Sequence, residues 1–388
     1  MEKVLILGGS YRDISLIKAC KELGYYTITL GSRDDYIGHT YADSFYKENY
    51  NDFELIKKII SVEDINYLIP GSGEEPYMNV VKLSNELNIG NYDTYENAQV
   101  LHNKWKFKEF CLKHKLCVAK GQRYKNHLDL DNLDFPLIIK PVSMSGGKGT
   151  TIVSNKEELE IALDYAKKYN QEILIEEAID GDIFSYSVVI SNKKVIYEFT
   201  AREYTYINKY IISSAHSCKL DTEILKLLKD NVEIMANELS MVDGMFHLQV
   251  IIKDKTPYII DVTRRIAGDL YPDLIEKCDD VQYLKSVVQA YTGNKISDEF
   301  LHKNKKQKFL IRQCLLADRN GEFINTYIND KIKNKIVSQL DLISSGTIID
   351  DYLNTLIGIV FIQLDKYDEE FIINLTKLIY PKIIENEL

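Results

Sequence analysis

The sequence predicts an α/β and α+β multidomain chain. It reads as an N-terminal parallel sheet, a central unit organised around a glycine-rich strand–loop–strand, and a small C-terminal α+β domain. Three observations predict this. Residues 1–98 alternate short apolar runs with helical patterns, which implies a parallel sheet joined by right-handed crossovers. Residues 135–153, FPLIIKPVSMSGGKGTTIV, place a loop carrying Gly146, Gly147, Lys148 and Gly149 between two β-rich runs. After the basic stretch KNKKQ at 303–307, the tail offers two apolar strand-like pieces and a terminal helix. A chain of 388 residues is too long for one compact core and suggests two to four domains. The divisions fall at 1–98, 99–302 and 308–388, with a mobile lid at about 118–178 inside the second.

In order, residues 4–7 form a strand, 14–23 a helix stopped by Gly24, and 27–30 a strand ended by Gly31. Residues 53–60 are a helix, and 67–69 a strand running into Pro70-Gly71-Ser72-Gly73. Ligands of parallel sheets sit beyond the strand carboxyl ends, which puts Gly8-Gly9-Ser10 and Gly71 to Glu75 on one rim. Glu74 and Glu75 either meet a substrate amine or cap the next helix. Residues 100–116 read as one basic amphipathic helix whose five lysines suit a solvated face.

In 135–153, glycines let backbone N–H groups approach an anion, and Lys140 and Lys148 add positive charge. A polyphosphate is the natural guest, and an ordinary glycine-rich hairpin is the alternative. A Walker loop is excluded, because Val142 stands where its first glycine belongs and Thr150 to Val153 reads as a strand rather than a helix. The dinucleotide fingerprint is absent here and after residue 7. Ser154-x-x-Glu157 reads as a capping box opening a helix with Leu159, Ala162, Leu163 and Ala166 inward.

The strand ILIEE at 173–177 ends in Glu176 and Glu177, then Ala178 and Ile179. A carboxylate acceptor beside backbone N–H groups suits a purine edge, and a strand-end charge pair is the alternative. Residues 184–190 and 194–200 pair around Asn192-Lys193, and the aromatic stretch 201–219 reads as a substrate-facing loop. His216 reads as structural or substrate-contacting rather than as a base. A helix at 222–239 precedes strands at 245–252 and 257–261, and Asp261, Thr263, Arg264, Arg265 and Asp269 crowd the end of the second. Such polarity at a strand end marks sites more often than folds. The tail gives strands at 309–316 and 356–364 and a helix at about 368–379.

A net charge of −10 argues against nucleic acid as a main partner. Six scattered cysteines without a C-x-x-C pair are neither a zinc pattern nor a disulfide scaffold, and reduced cytosolic thiols fit them best. No apolar run reaches the roughly 18 residues that cross a membrane. No signal peptide is evident, so a cytoplasmic location is expected.

Taken together, the order of these features resembles the ATP-grasp ligases, most closely L-amino-acid ligases and biotin carboxylase-like members, over nearly the whole chain. NKWKFKEFCLKHKL resembles the entry helix, residues 135–153 the phosphate loop, ILIEEAIDG the adenine hinge and YIIDVTRRIAGDL the metal-binding strand. The resemblance implies a Rossmann-like first domain, a central ATP-grasp fold, and ATP with Mg²⁺ as cofactors. It implies that Lys104 and Lys140 hold phosphates and that Ser145, Gly146, Gly147 and Lys148 cover them. Glu176, Glu177 and Ile179 would bind adenine. Arg265 would meet the transferred phosphoryl group or a substrate carboxylate, acting with Lys140 in catalysis. Gln249, Asp261 and Thr263 stand where such proteins carry Glu, Glu and Asn as magnesium ligands, so only Asp261 keeps an anionic oxygen. Ile183 replaces a frequent ribose-binding glutamate. The implied reaction joins a carboxylate to an amine through an acyl phosphate, releasing ADP and phosphate. Other outcomes of the same fold are an ATP-binding regulatory or catalytically reduced protein, a carboxylate–thiol ligase, and a small-molecule kinase. Small-molecule substrates are the expected partners. Dimers are frequent among similar proteins, so a homodimer is expected.

Overall fold

The computed structural model describes residues 1–124, 130, 132–142, 147–302 and 308–385. The N-terminal sheet is four-stranded and wholly parallel, in the order Ser44–Lys47, Tyr26–Gly31, Lys3–Leu7, Tyr67–Pro70. Its central strand is a continuous apolar run because helices cover both faces, and Val4 to Leu7 are fully buried. The edge strand, Ser-Phe-Tyr-Lys, is half exposed and carries no apolar run, so the sequence did not announce it. Helix Glu74–Leu87 begins directly at the rim, with Gly73 as its N-cap and Glu74 and Glu75 in its first turn.

Predicted helix 100–116 is two helices, Tyr95–His102 and Lys104–Lys113, broken at Asn103. The Asn103 side chain accepts from the N–H groups of Trp105 and Lys106 at 3.1 and 3.0 Å and starts the second helix afresh. A four-stranded antiparallel sheet follows, ordered Gly121–Arg123, Ile173–Glu177, Leu137–Pro141, Thr151–Val153. Helix Lys156–Lys167 packs on it through Leu159, Ala162, Leu163 and Ala166. The N-cap is Asn155, one residue later than the sequence suggested, and the reciprocal bond of a capping box goes to the residue before it. Asn155 accepts from the Glu158 N–H at 2.9 Å, and the Glu158 carboxylate accepts from the Ser154 N–H at 2.7 Å.

The largest sheet has eight antiparallel strands, ordered Thr256–Thr263, Gly244–Lys253, Asp182–Ser191, Lys194–Tyr204, Ser214–Ser217, Phe309–Leu316, Leu356–Leu364, Ile336–Asp341. Its two tight hairpins turn at Asn192-Lys193 and Asp254-Lys255, and all four residues have positive φ, as hairpin turns matching the strand twist require. The aromatic stretch 201–219 is only partly a loop. Lys194–Tyr204 runs on to Tyr204, and Ser214–Ser217 returns as a strand bonded to Phe309–Leu316. The sheet is therefore continuous on both sides of residues 303–307. The predicted terminal helix is two short helices, Glu369–Ile373 and Leu375–Leu378, followed by strand Ile379–Ile384 of a three-stranded sheet. No helix among the described residues is long and apolar enough to cross a membrane.

Candidate functional site

Register in the large sheet decides which side chains meet. Asp261 lies opposite Gln249, Gln249 opposite Ser185, and Ser185 opposite Ala201. Two residues along the same strands, Ile251, Ile183, Glu203, Ala215 and Arg312 form a second row. Alternate residues of a strand share a face, so both rows look the same way. Gln249 confirms it by donating from Nε2 to Glu203 Oε2 at 3.0 Å.

The smaller antiparallel sheet supplies Lys140 and Glu176, and helix Lys104–Lys113 supplies Lys104 and Lys108. Lys140 Nζ lies 2.8 Å from Glu176 Oε2. The other oxygen of Glu176 pairs with Lys108, which also donates to Ala119 O at 2.7 Å. Burial alone would raise the Glu176 pKa; Lys140 and Lys108 outweigh it and hold the carboxyl down to about 2. The Glu176 side chain is thus an ion-pair hub. Of the hinge N–H groups, that of Ala178 is taken by Pro136 O at 2.8 Å. Glu177 accepts from the Asp134 N–H at 3.2 Å and pairs with Lys120 at 3.3 Å. Ile179 follows the strand end.

Lys104, Glu74, Asp261 and Arg265 converge from three separate stretches. Burial lowers the Lys104 pKa, and the charges of Asp261 and Glu74 oppose it. Asp261 keeps an edge open to the cleft; crowding by its neighbours raises its pKa, while Lys104 and Arg265 pull it back and Glu74 adds to the rise. Arg265 is also desolvated, which lowers its pKa against the pull of Asp261 and Glu74. Burial raises the Glu74 pKa, but His102, Lys104 and Arg265 together leave it lowered. Of the two readings of Glu74, the structure places the carboxylate within the polar cluster as well as in the first helical turn.

Thr263 lies opposite His247, and its hydroxyl accepts from the Arg265 N–H at 3.3 Å. His247, bonded through Nδ1 to Ser187 Oγ at 2.7 Å, stands near both Arg265 and Arg312; burial and those two positive charges push its pKa down to about 3. Arg312 is fully enclosed, donates to Asp269 O at 2.8 Å and lies 5.8 Å from the Tyr271 ring centre. The Nε atoms of Arg265 and Arg312 are buried without a hydrogen-bond partner among the described residues. Asp269, at φ +55°, turns the chain so that its carboxylate meets Arg12 at 3.2 Å and the Tyr11 hydroxyl at 2.6 Å. This ties the N-terminal rim to the strand end. The neighbouring Arg264 points the other way, buried against Asp93 at 3.0 Å and two carbonyls, and is structural.

Part of the glycine-rich loop, including Ser145 and Gly146, lies outside the described residues. Gly147 and Gly149 have φ of +72° and +73°, and Lys148 is exposed. Tyr210, from the 205–213 loop, packs on Gly147 so closely that a Cβ there would enter its ring, and its hydroxyl donates to Thr150 O at 3.1 Å.

No three His, Cys, Asp or Glu side chains among the described residues group to hold a metal ion by themselves. Asp261 and the amide oxygen of Gln249, opposite one another, are hard oxygen donors of the kind magnesium accepts when phosphates and waters complete its shell. The donor set fits an ion shared with a polyphosphate.

The sequence offered no sign of Glu203, His247 and Arg312, and it put Lys108 on a solvated helix face, whereas Lys108 is buried in its ion pair with Glu176. Glu203 and Arg312 carry no local motif and meet only through strand order.

Residues 101–269 match the family model of an ATP-grasp domain. A formate-dependent phosphoribosylglycinamide formyltransferase of Prochlorococcus marinus (strain NATL1A) is 28% identical over 191 residues, 47% of this chain and 49% of that protein. The chain thus spans about half the length of that relative. An L-amino acid ligase structure from Bacillus licheniformis superposes with a TM-score of 0.85 at 17% identity, covering 100% of this chain and 99% of that one. The biotin carboxylase domain dimer of Hydrogenobacter thermophilus 2-oxoglutarate carboxylase, solved with MgADP and bicarbonate, superposes with a TM-score of 0.77 at 18% identity, covering 94% and 86%.

Proposed function

Because residues 101–269 are an ATP-grasp domain, we propose that the chain is an ATP-dependent ligase joining a carboxylate to an amine through an acyl phosphate. The observation that carries the reading is a pair of guanidinium groups, half-buried Arg265 and buried Arg312, each with an Nε that has no hydrogen-bond partner among the described residues, beside a lysine- and carboxylate-lined cleft. Desolvated cations with unused donors suit an anionic substrate whose charge builds during transfer.

In this reading Lys104 and Lys140 hold the phosphates of ATP, and Glu176 keeps Lys140 in place through its ion pair. The loop with Ser145, Gly146, Gly147 and Lys148 covers the phosphates. Ile179 and Glu177 border adenine. Asp261 and Gln249, with Thr263 nearby, would hold magnesium, which would neutralise phosphate charge. Arg265 and Arg312 hold the carboxylate and the transferred phosphoryl group. A carboxylate oxygen attacks the γ-phosphorus and ADP leaves. The amine then adds to the acyl phosphate, loses a proton and expels phosphate. Catalysis of this kind rests on positioning and charge stabilisation, so it needs no nucleophilic side chain. Neutral His247, between the arginines, does not add to their charge. Free cysteines, four of them buried, suit a cytoplasmic enzyme. The dimeric carboxylase domain supports a homodimer as part of the proposal.

The test is phosphate release with purified chain, Mg-ATP and a panel of carboxylates and amines. Release that requires one member of each class supports the ligase. A second reading, a nucleotide-binding protein with reduced activity, draws on the single anionic oxygen of the metal set; it predicts nucleotide binding without such release.

A further inference from the structure

One row of the large sheet lies between the two that face the cleft: Val250, Phe184, Arg202, His216 and Ile311 stand side by side. By strand alternation these side chains point to the opposite face. There Phe184, Arg202 and His216 border a recess of about 610 Å³, while Val250 and Ile311 are buried in the core. We infer that this recess is a second small-molecule site, built for a planar aromatic anion and separate from the cleft.

One part of its wall is made of flat rings, the rest of Leu220, Ile224 and Ile252. The His216 ring centre lies 5.1 Å from Phe309 and 5.6 Å from Tyr367, and Phe309 and Tyr367 meet edge to face at 5.9 Å. Phe184 lines the recess beside them. His216 is buried, with Nδ1 3.0 Å from Ser217 O and Nε2 3.1 Å from the Tyr204 hydroxyl. The carbonyl contact requires a proton on Nδ1, leaving Nε2 to accept from the tyrosine. Burial lowers the His216 pKa, so the ring is a neutral, oriented surface rather than a charge.

The rim is positive. Arg202, Lys219, Lys255 and Lys308 line the recess, with Asp221. Arg202 also meets Asp182 at 2.7 Å, and Lys255 stands 3.8 Å from Asp221. Four cations against two carboxylates give a local excess of positive charge on a chain whose net charge is −10. A few hundred Å³ of mostly apolar wall, part aromatic and part aliphatic, with polar groups at the rim is the usual make-up of a small-molecule pocket. Ring faces and edges recognise a flat ring, and the cations at the rim recognise an acidic substituent. A polyphosphate held by Lys140 would lie across the sheet, so the two ligands do not compete. The inference does not depend on the ligase reading.

The experiment titrates the full chain with 2-naphthalenesulfonate by calorimetry in saturating Mg-ATP. One saturable equivalent is expected. Tyr367→Ala and Lys219→Gln each should weaken it by about tenfold, on the scale of one lost aromatic or cation contact, with nucleotide affinity unchanged. Tyr367 is 47% exposed and Lys219 is exposed, so both variants should melt with the parent protein. Absence of saturable binding, displacement by ATP, equal affinity in both variants, or equal affinity for neutral 2-naphthalenemethanol would overturn the inference.

Discussion

Replacing Glu176 by Gln tests the ion-pair hub that fixes Lys140, the lysine proposed to hold phosphate. Glu176 is buried between Lys108 and Lys140. Its carboxyl drops from an ordinary 4.5 to about 2, a differential stabilisation of roughly 3 kcal/mol for the charged form. Glu176→Gln removes that charge and leaves two desolvated ammonium groups facing one another, so a loss of about 3 kcal/mol at pH 7 is expected. The pH dependence has a definite sign. A carboxyl whose folded pKa is depressed contributes its full stability above the unfolded pKa and loses it as pH falls toward the folded one. The parent's advantage should therefore hold from neutrality down to about pH 5 and shrink by roughly 1.4 kcal/mol by pH 3.5. Trp105, the single tryptophan, sits on the helix that carries Lys104 and Lys108, so its fluorescence during urea unfolding reports the right region. Equal stability of parent and variant at pH 7, or a gap that does not narrow between pH 5 and 3.5, would refute the reasoning.

Four further outcomes are expected. Lys140→Ala should lower turnover by on the order of 10²–10³, as for other preorganised charge donors; an unchanged rate at saturating ATP contradicts its role. Gln249→Glu would set a second carboxylate against buried Glu203, now 3.0 Å from the Gln249 amide nitrogen; stability should fall by about 1–3 kcal/mol and phosphate release should drop. Adding Glu203→Gln to that variant should recover stability, as thermal melting would record. Gly147→Ala, forced into the Tyr210 ring at a positive φ, should weaken ATP binding by about tenfold, and Tyr210→Phe by less, in equilibrium titration.

Much of the architecture was legible because burial leaves a simple pattern. Val4 to Leu7 is covered on both faces and is apolar throughout, and Gly24 and Gly31 punctuate its neighbours. The strand Ser44–Lys47 escaped notice because it lies at the sheet edge, half exposed. The apolar spacing of Leu101, Phe107 and Cys111 continues across Asn103, so periodicity hid a helix break that only side-chain capping reveals. The end of Lys194–Tyr204 looked like loop because it is a strand with polar side chains on both faces. Glu203 turns to the cleft and Arg202 to the opposite recess. Motif spacing could find Lys140, Lys148 and Asp261, which lie in contiguous stretches. It could not find Arg312, since only the pairing of Ser214–Ser217 with Phe309–Leu316 brings that residue beside Glu203 and His247.

The most direct measurement is a crystal structure with Mg²⁺ and a nonhydrolysable ATP analogue. The phosphates should lie between Lys104, Lys140 and Gly147 on one side and Asp261 with Gln249 on the other, with the γ-phosphate directed toward Arg265. A nucleotide bound elsewhere, or phosphates that touch neither Lys140 nor the metal held by Asp261, would contradict the account.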